Sequence, residues 1–267
     1  SIHHLYLKMQ KLIEKTPVLI LCGGKGLRLS EETNQTPKPL IKIDKYPILF
    51  HIIRIYLKNG FKKFILLTGY KHNSFIKYFT KEFPKKIGEV PEIKHKDKTF
   101  KFKKFEVKIF NTGLNTLTGS RILKYKKFLK KNEFFAVSYG DGLANINLRE
   151  VFKNFYNQKY EGIMCATNPE EKFGIVEIKK NYAFKFNEKR KNSDKWINIG
   201  YFFFKNSFFK YLDKKSMLEQ NPLKKITKNK KLMVYKHLGL YKCMDTLNEK
   251  KIIQDMIKKN STPPWLK

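Results

Sequence analysis

The stretch 19-LILCGGKGLRLSEETNQTPKPL-40 decides how this chain is read. The apolar run Val18 to Leu21 passes almost directly into three glycines within four positions, Gly23, Gly24 and Gly26, followed by Arg28 and then Pro37-Lys38-Pro39. An apolar run broken by glycine reads as a buried strand that ends in a loop. Glycines there let the backbone take positive φ and let an anion approach its N–H groups with no Cβ in the way. Arg28 and Lys38 would add fixed positive charge. The same residues also read as a strand-to-helix turn that merely needs glycine, so the loop alone leaves both readings open.

Two common nucleotide fingerprints are excluded. A P-loop needs G-x-x-x-x-G-K-[ST], but Gly26 is followed by Leu27 and Arg28. The dinucleotide pattern G-x-G-x-x-G would begin at Gly24 and fails at Leu29.

Outward from the loop, the order of elements is that of an α/β protein. Apolar residues at Ile48, Leu49, Ile52, Ile53, Ile55 and Tyr56, stopped by Gly60, predict a helix over 47–59, and 64–68 is a second strand. Strand, loop, helix, strand is a βαβ unit, whose crossover builds a parallel sheet. A helix is expected over 74–83. Residues 84–104, with two prolines and eight lysines, are expected to form a surface excursion, as a hairpin or a flap. Strands follow at 105–110 and 134–139, with a helix at 118–130 between them. Beyond a helix at 148–158, strands at 162–167, 174–178, 197–204 and 232–236 suggest antiparallel pairing joining the sheet. Helices are expected at 208–212, 217–226 and 246–258. Residues 1–16 are taken as an N-terminal extension and 17–267 as one domain.

Composition limits the function classes. At 267 residues, with 41% hydrophobic and 15% aromatic residues, the chain can bury a core. No apolar run approaches the ~20 residues of a membrane span, and no secretory signal is read at the N-terminus. Cys22, Cys165 and Cys243 are far apart and without C-x-x-C spacing, so a reducing cytoplasm is expected, with neither a disulfide framework nor a zinc site. The net charge of +34 invites a nucleic-acid partner. Only five of the 57 basic residues are arginine, however, and the lysines are scattered through every segment. That pattern resembles genome-wide compositional drift, so no specific nucleic-acid partner is expected.

In an open parallel sheet, ligands sit outside the carboxyl ends of the strands. Three loops there carry chemistry: Gly23 to Arg28, Gly140-Asp141-Gly142, and Met244-Asp245. Two aspartates from separate loops can share Mg²⁺, which takes one or two carboxylates plus phosphate oxygens and waters. Each residue has a plainer reading as well: Asp141 as an Asx-turn, Lys38 as a solvated lysine, Glu31 and Glu32 as a helix first turn, Tyr201 to Phe204 as a core strand.

The ordered set Leu21-Cys22-Gly23-Gly24-Lys25-Gly26-Leu27-Arg28-Leu29 with Pro37-Lys38-Pro39 resembles the signature of the sugar nucleotidylyltransferase family, L-A-G-G-x-G-T-R-L followed by P-K-P. Ser30-Glu31-Glu32-Thr33, Gly69-Tyr70-Lys71, Tyr139-Gly140-Asp141-Gly142, Phe173-Gly174, Glu188-Lys189, Asn198-Ile199-Gly200-Tyr201-Phe202 and Met244-Asp245-Thr246-Leu247 look like its glucose-1-phosphate cytidylyltransferase branch. The resemblance covers about residues 17–266. It implies a Rossmann-like, three-layer α/β nucleotidyltransferase fold with a mostly parallel mixed sheet. It further implies a homo-oligomer that joins CTP and a sugar 1-phosphate with Mg²⁺ as cofactor, in nucleotide-sugar biosynthesis of the kind that feeds O-antigen and lipopolysaccharide. UTP or dTTP use, or a catalytically silent homologue, are the alternatives. Carried onto matching positions, the resemblance makes Arg28 and Lys38 catalytic. Leu21, Gly23, Gly24, Gly26, Thr118, Gly119 and Arg121 would bind nucleotide, and Gly140, Lys189, Asn198 and Gly200 the sugar phosphate. Asp141 and Asp245 would bind the metal. The chain departs from the family pattern at Leu27, where threonine is usual, and at Ser120, Arg190 and Lys242-Cys243.

Overall fold

The computed structural model describes residues 2–169, 174–188 and 195–267. Its frame is a nine-stranded sheet made, in chain order, of β1 (Pro17–Cys22), β2 (Lys63–Thr68), β3 (Glu92–Lys94), β4 (Thr99–Lys101), β5 (Glu106–Asn111), β6 (Phe134–Tyr139), β7 (Gly162–Thr167), β8 (Ile197–Lys205) and β9 (Leu232–His237). Their spatial order is β9-β7-β8-β6-β1-β2-β5-β4-β3. The central strands β5, β2, β1 and β6 are parallel. Strand β8 runs antiparallel between β6 and β7, and β9 is parallel to β7.

β1 is apolar along its length because both of its faces are covered. Val18, Ile20 and Cys22 enter one core with the helix Ile48–Lys58, and Leu19 enters the other with Ile122, Tyr125 and Phe208. The same two-residue alternation divides β8, where Tyr201 and Phe203 face the first core and Phe202 and Phe204 the second. Helices therefore flank a mixed sheet on both faces. The chain leaves β1 for β2 on one side and has β6 on the other, so the strand order reverses beside β1. That reversal opens a crevice at the carboxyl ends of β1 and β6.

Several segments differ from the sequence expectation: the strand expected at 174–178 stays out of the main sheet and pairs as Ile175–Lys179 with Tyr182–Asn187. Within residues 84–104, β3 and β4 form the antiparallel hairpin that was one of the two expected forms, and it extends the sheet past β5. Phe100 and Phe102 are buried and pack with Phe79, Phe83 and Phe105, while the lysines between them obscure the pattern. The helix expected at 74–83 is the α-helix His72–Lys77 running into a π turn, Tyr78–Glu82. The helix expected from 217 begins at Asn221, which leaves Met217 to Gln220 free to turn toward the crevice. Residues 1–16 include a docked helix, Ile2–Lys15, with Ile13 fully buried. Lys189, Arg190 and Phe173 lie outside the described residues.

Candidate active site

The crevice is a cavity of about 450 Å³ whose wall includes Leu21, Gly23, Gly24, Gly26, Arg28, Lys38, Thr118, Arg121, Gly140 and Asp141. Ten of the residues expected to act together thus share one surface. At Gly26, φ is +62° and a Cβ would come within 2.9 Å of Thr33 Cγ2, so the loop needs glycine there. At Gly23 a Cβ would lie 2.2 Å from the Arg121 guanidinium. Gly24 faces open space.

Lys38 sits at the centre of the charged end. Its Nζ lies 3.0 Å from Asp141 Oδ2 and 2.5 Å from Asp245 Oδ1, and Arg28 Nη1 lies 2.6 Å from Asp245 Oδ2. Burial opposes the charge on Lys38, but the two aspartates outweigh it and raise the pKa above the usual lysine value. The ammonium is therefore a permanent cation at neutral pH. The acids reach it by local construction. Asp141 leaves the end of β6, where a Cβ on Gly140 would lie 2.9 Å from the Leu21 carbonyl oxygen. Gly142–Ala144 pairs antiparallel with Tyr241–Cys243, and the Met244 N–H donates to the Asp141 carbonyl at 2.8 Å. This ribbon sets the two acidic loops side by side. Thr246 and Glu249 form a capping box on the following helix, and Glu249 Oε2 also accepts the Asp245 N–H at 2.7 Å.

The donor set fits a hard divalent cation. Two carboxylates converge on one ammonium, so their oxygens are close enough to share a second positive centre. Among the described residues no group of three or more His, Cys, Asp or Glu gathers into a cage. An ion that keeps waters and takes only one or two protein carboxylates matches that arrangement.

The cavity wall also includes Thr116, Leu117, Thr118, Arg121, Tyr139, Met217 and Glu219. Glu219 bridges two hydroxyls: Thr118 Oγ1 donates to Oε2 at 3.0 Å and Tyr139 Oη to Oε1 at 2.7 Å. Asn198 Nδ2 donates to Tyr139 Oη at 2.9 Å, and Asn198 Oδ1 accepts the Gly200 N–H at 2.8 Å. Burial, and next the Glu219 charge, push the Tyr139 phenol well above its usual range, so it remains a donor.

Several residues expected at the ligand lie outside the cavity wall or are bonded within the protein. Gly119 is not part of the cavity wall, and a Cβ there would lie 2.8 Å from Ser216 Cβ, so glycine permits the close helix-to-loop packing. Asn198 and Gly200 are outside the cavity wall and are committed to each other and to Tyr139. Gly200 has φ +78° and would place a Cβ 2.3 Å from the Tyr139 ring. Arg121 does line the cavity, yet its terminal nitrogens donate to protein. Nη1 reaches Thr112 Oγ1 and the Gly113 carbonyl, both at 2.7 Å, and Nη2 reaches the Gly23 carbonyl at 2.9 Å. It ties the ends of β1 and β5 together, as a buried cation that no carboxylate pairs with among the described residues. Lys189 lies outside the described residues.

Glu219 and Met217 were missed, since nothing local marks either one. Tyr139 stood beside Gly140-Asp141 in the sequence without a role assigned to it.

Comparison with known proteins agrees with this geometry. A family model described as "Nucleotidyl transferase" matches residues 17–248. The chain is 37% identical over 238 residues to a Bacillus subtilis protein named "Probable glucose-1-phosphate cytidylyltransferase", covering 85% of this chain and 91% of the other. It is 32% identical over 254 residues to the Salmonella typhimurium glucose-1-phosphate cytidylyltransferase, covering 92% and 97%. Among solved structures, a UDP-glucose pyrophosphorylase complexed with UDP-glucose superposes with a TM-score of 0.66 at 16% identity, covering 91% of this chain and 98% of its own. HddC from Yersinia pseudotuberculosis superposes equally well at 17% identity, covering 90% and 98%. These two establish the fold.

Proposed function

This chain belongs to the nucleotidyl transferase family, and from that premise we propose that it transfers a cytidylyl group from CTP to glucose 1-phosphate, releasing pyrophosphate and forming CDP-glucose. The observation that carries the reading is Lys38, held between Asp141 and Asp245 beside a glycine loop that carries Arg28. The sugar phosphate oxygen attacks the α-phosphorus of CTP in line. One P–O bond forms as the bond to the leaving pyrophosphate breaks. No protein group need bond to phosphorus, so catalysis is positioning and charge neutralisation.

Each residue has a defined part in that scheme. Gly23, Gly24 and Gly26 let the triphosphate approach the loop backbone. Arg28, its side chain 81% exposed at the cavity mouth, is free to swing from Asp245 onto the β- and γ-phosphates. Lys38 stands where negative charge builds up between the α-phosphate and the incoming oxygen. Asp141 and Asp245 would hold Mg²⁺, which when bound neutralises phosphate charge. Arg121 acts through shape and field, by fixing the Gly23 carbonyl. Lys189 and Gly140 are assigned to the sugar phosphate.

A cytoplasmic homo-oligomer completes the proposal. No helix among the described residues is long and apolar enough to cross a membrane. The hairpin Ile175–Lys179 and Tyr182–Asn187 exposes Ile178, Phe184 and Phe186 by 60% or more, apolar surface that a second copy would cover.

The test is pyrophosphate release by purified protein given Mg²⁺, each common nucleoside triphosphate and a panel of sugar 1-phosphates. CTP with glucose 1-phosphate is expected to be the best pair. Release only with UTP or dTTP would displace the cytidine assignment. No release with any pair would leave a silent binding homologue, the reading that Leu27 in the phosphate loop favours.

A further inference from the structure

The cavity wall holds two acids: Asp141 is paired with Lys38, whereas Glu219 meets only hydroxyl groups. It lines the same cavity as Arg28 and Lys38, yet among the described residues no lysine, arginine or histidine pairs with it, in a chain of net charge +34. Its surroundings also leave it no choice of role. The Thr118 hydroxyl accepts the Leu218 N–H at 2.8 Å and so gives its proton to Glu219; the Tyr139 hydroxyl accepts from Asn198 and gives its proton to Glu219. Each carboxylate oxygen thus takes one hydrogen bond and keeps one lone-pair direction free. A carboxylate fixed in this way can only accept, and it repels phosphate. It therefore marks the part of the wall that receives an N–H donor.

We propose that Glu219 reads the nucleobase by accepting a hydrogen bond from an exocyclic amine, so that the site selects an amino-bearing pyrimidine over one with a carbonyl at the same position. This rests on the reading of the cavity as a nucleoside triphosphate site. Cytosine carries a 4-amino donor, to which Glu and Asp are the natural acceptors, whereas uracil and thymine place an oxygen there. An oxygen facing the carboxylate would leave both acceptors unpaired and adjacent, and buried unpaired acceptors discriminate strongly between substrates. Thr118, Tyr139 and Asn198 act as positioning residues that hold the carboxylate still.

Calorimetric titration of CTP, UTP and a CTP analogue with hydrogen in place of the 4-amino group tests this in the absence of turnover, on wild type and Glu219→Gln. Wild type should bind CTP at least about tenfold more tightly than either competitor. Glu219→Gln keeps one acceptor oxygen and adds a donor, so the preference for CTP over UTP should fall by about tenfold, mostly through tighter UTP. The analogue should bind both proteins alike, and the wild-type preference for CTP over the analogue tests the proposal without depending on the variant's folding. Equal weakening of CTP and UTP by Glu219→Gln would place the carboxylate on the ribose and overturn the proposal, as would an unchanged ratio. A wild type that prefers UTP refutes the cytidine reading itself. Failure to bind any of the three triphosphates refutes the nucleotide site.

Discussion

Replacing Lys38 by alanine should damage turnover far more than binding, and should do so in a way that also reports on the metal site. In the resting structure Nζ is 3.0 and 2.5 Å from two carboxylates. At an effective dielectric of ~20 each such contact is worth about 6 kcal/mol before desolvation is subtracted, so the lysine is firmly held. A fixed donor aimed at charge that develops in the transition state is worth about 3–4 kcal/mol. At about 1.4 kcal/mol per factor of ten, Lys38→Ala should lower kcat by roughly 10²–10³. The dissociation constant for CTP should rise by about tenfold or less, because the loop amides and Arg28 still bind the triphosphate. The same change leaves Asp141 and Asp245 without their shared cation, so Mn²⁺ titrated without nucleotide and followed by EPR should bind about tenfold more tightly, a shift of about 1.4 kcal/mol. Because the acids raise the Lys38 pKa, its charge is present below the ordinary lysine value of about 10.4 and is lost only as pH rises through the folded value. The kinetic defect should accordingly be flat between about pH 6 and 9. Equal losses in kcat and CTP affinity would refute the transition-state role, and unchanged Mn²⁺ binding would refute the competition between lysine and metal.

Asp245→Asn should raise the Mg²⁺ concentration needed for half-maximal pyrophosphate release and loosen Arg28; an unchanged Mg²⁺ titration removes Asp245 from the metal site. His51 is buried against Trp265 and its pKa is lowered to about 4, by burial first and by Arg54 second. Its stabilising contribution is present above the unfolded value of about 6.5 and is lost as pH falls from there towards 4, about 3 kcal/mol in all or roughly 6–12 °C in Tm. His51→Phe should remove that part of the acid slope in thermal melts, and identical slopes in both proteins would count against it. Leu27 is 75% exposed in the phosphate loop, so Leu27→Thr adds a donor at little structural cost; CTP should bind about fivefold more tightly by calorimetry, and no change would show the position to be indifferent.

Much of this protein was legible in its residue order. The alternation within β1 and β8, the 48–56 helical stripe and the glycine loop each depend on neighbours a few residues apart, and local backbone preference decides such features. The hairpin at 92–101 was harder, because exposed lysines alternate with buried phenylalanines and average to a polar segment. The resemblance placed Asp141, Asp245 and Lys38 in one site, but not in direct contact. The contacts span 103 and 207 residues of chain, and only the crevice beside β1 and the 142–144 ribbon bring them to one point. Arg121 shows the converse. The family resemblance offered its guanidinium to the nucleotide, and folding committed its terminal nitrogens to backbone carbonyls and Thr112. By itself the sequence determined which chemical groups exist and which strands carry them to the sheet edge. The tertiary structure decided which of those groups remain free for a ligand, because a donor or acceptor already satisfied within the protein has no hydrogen bond left to offer.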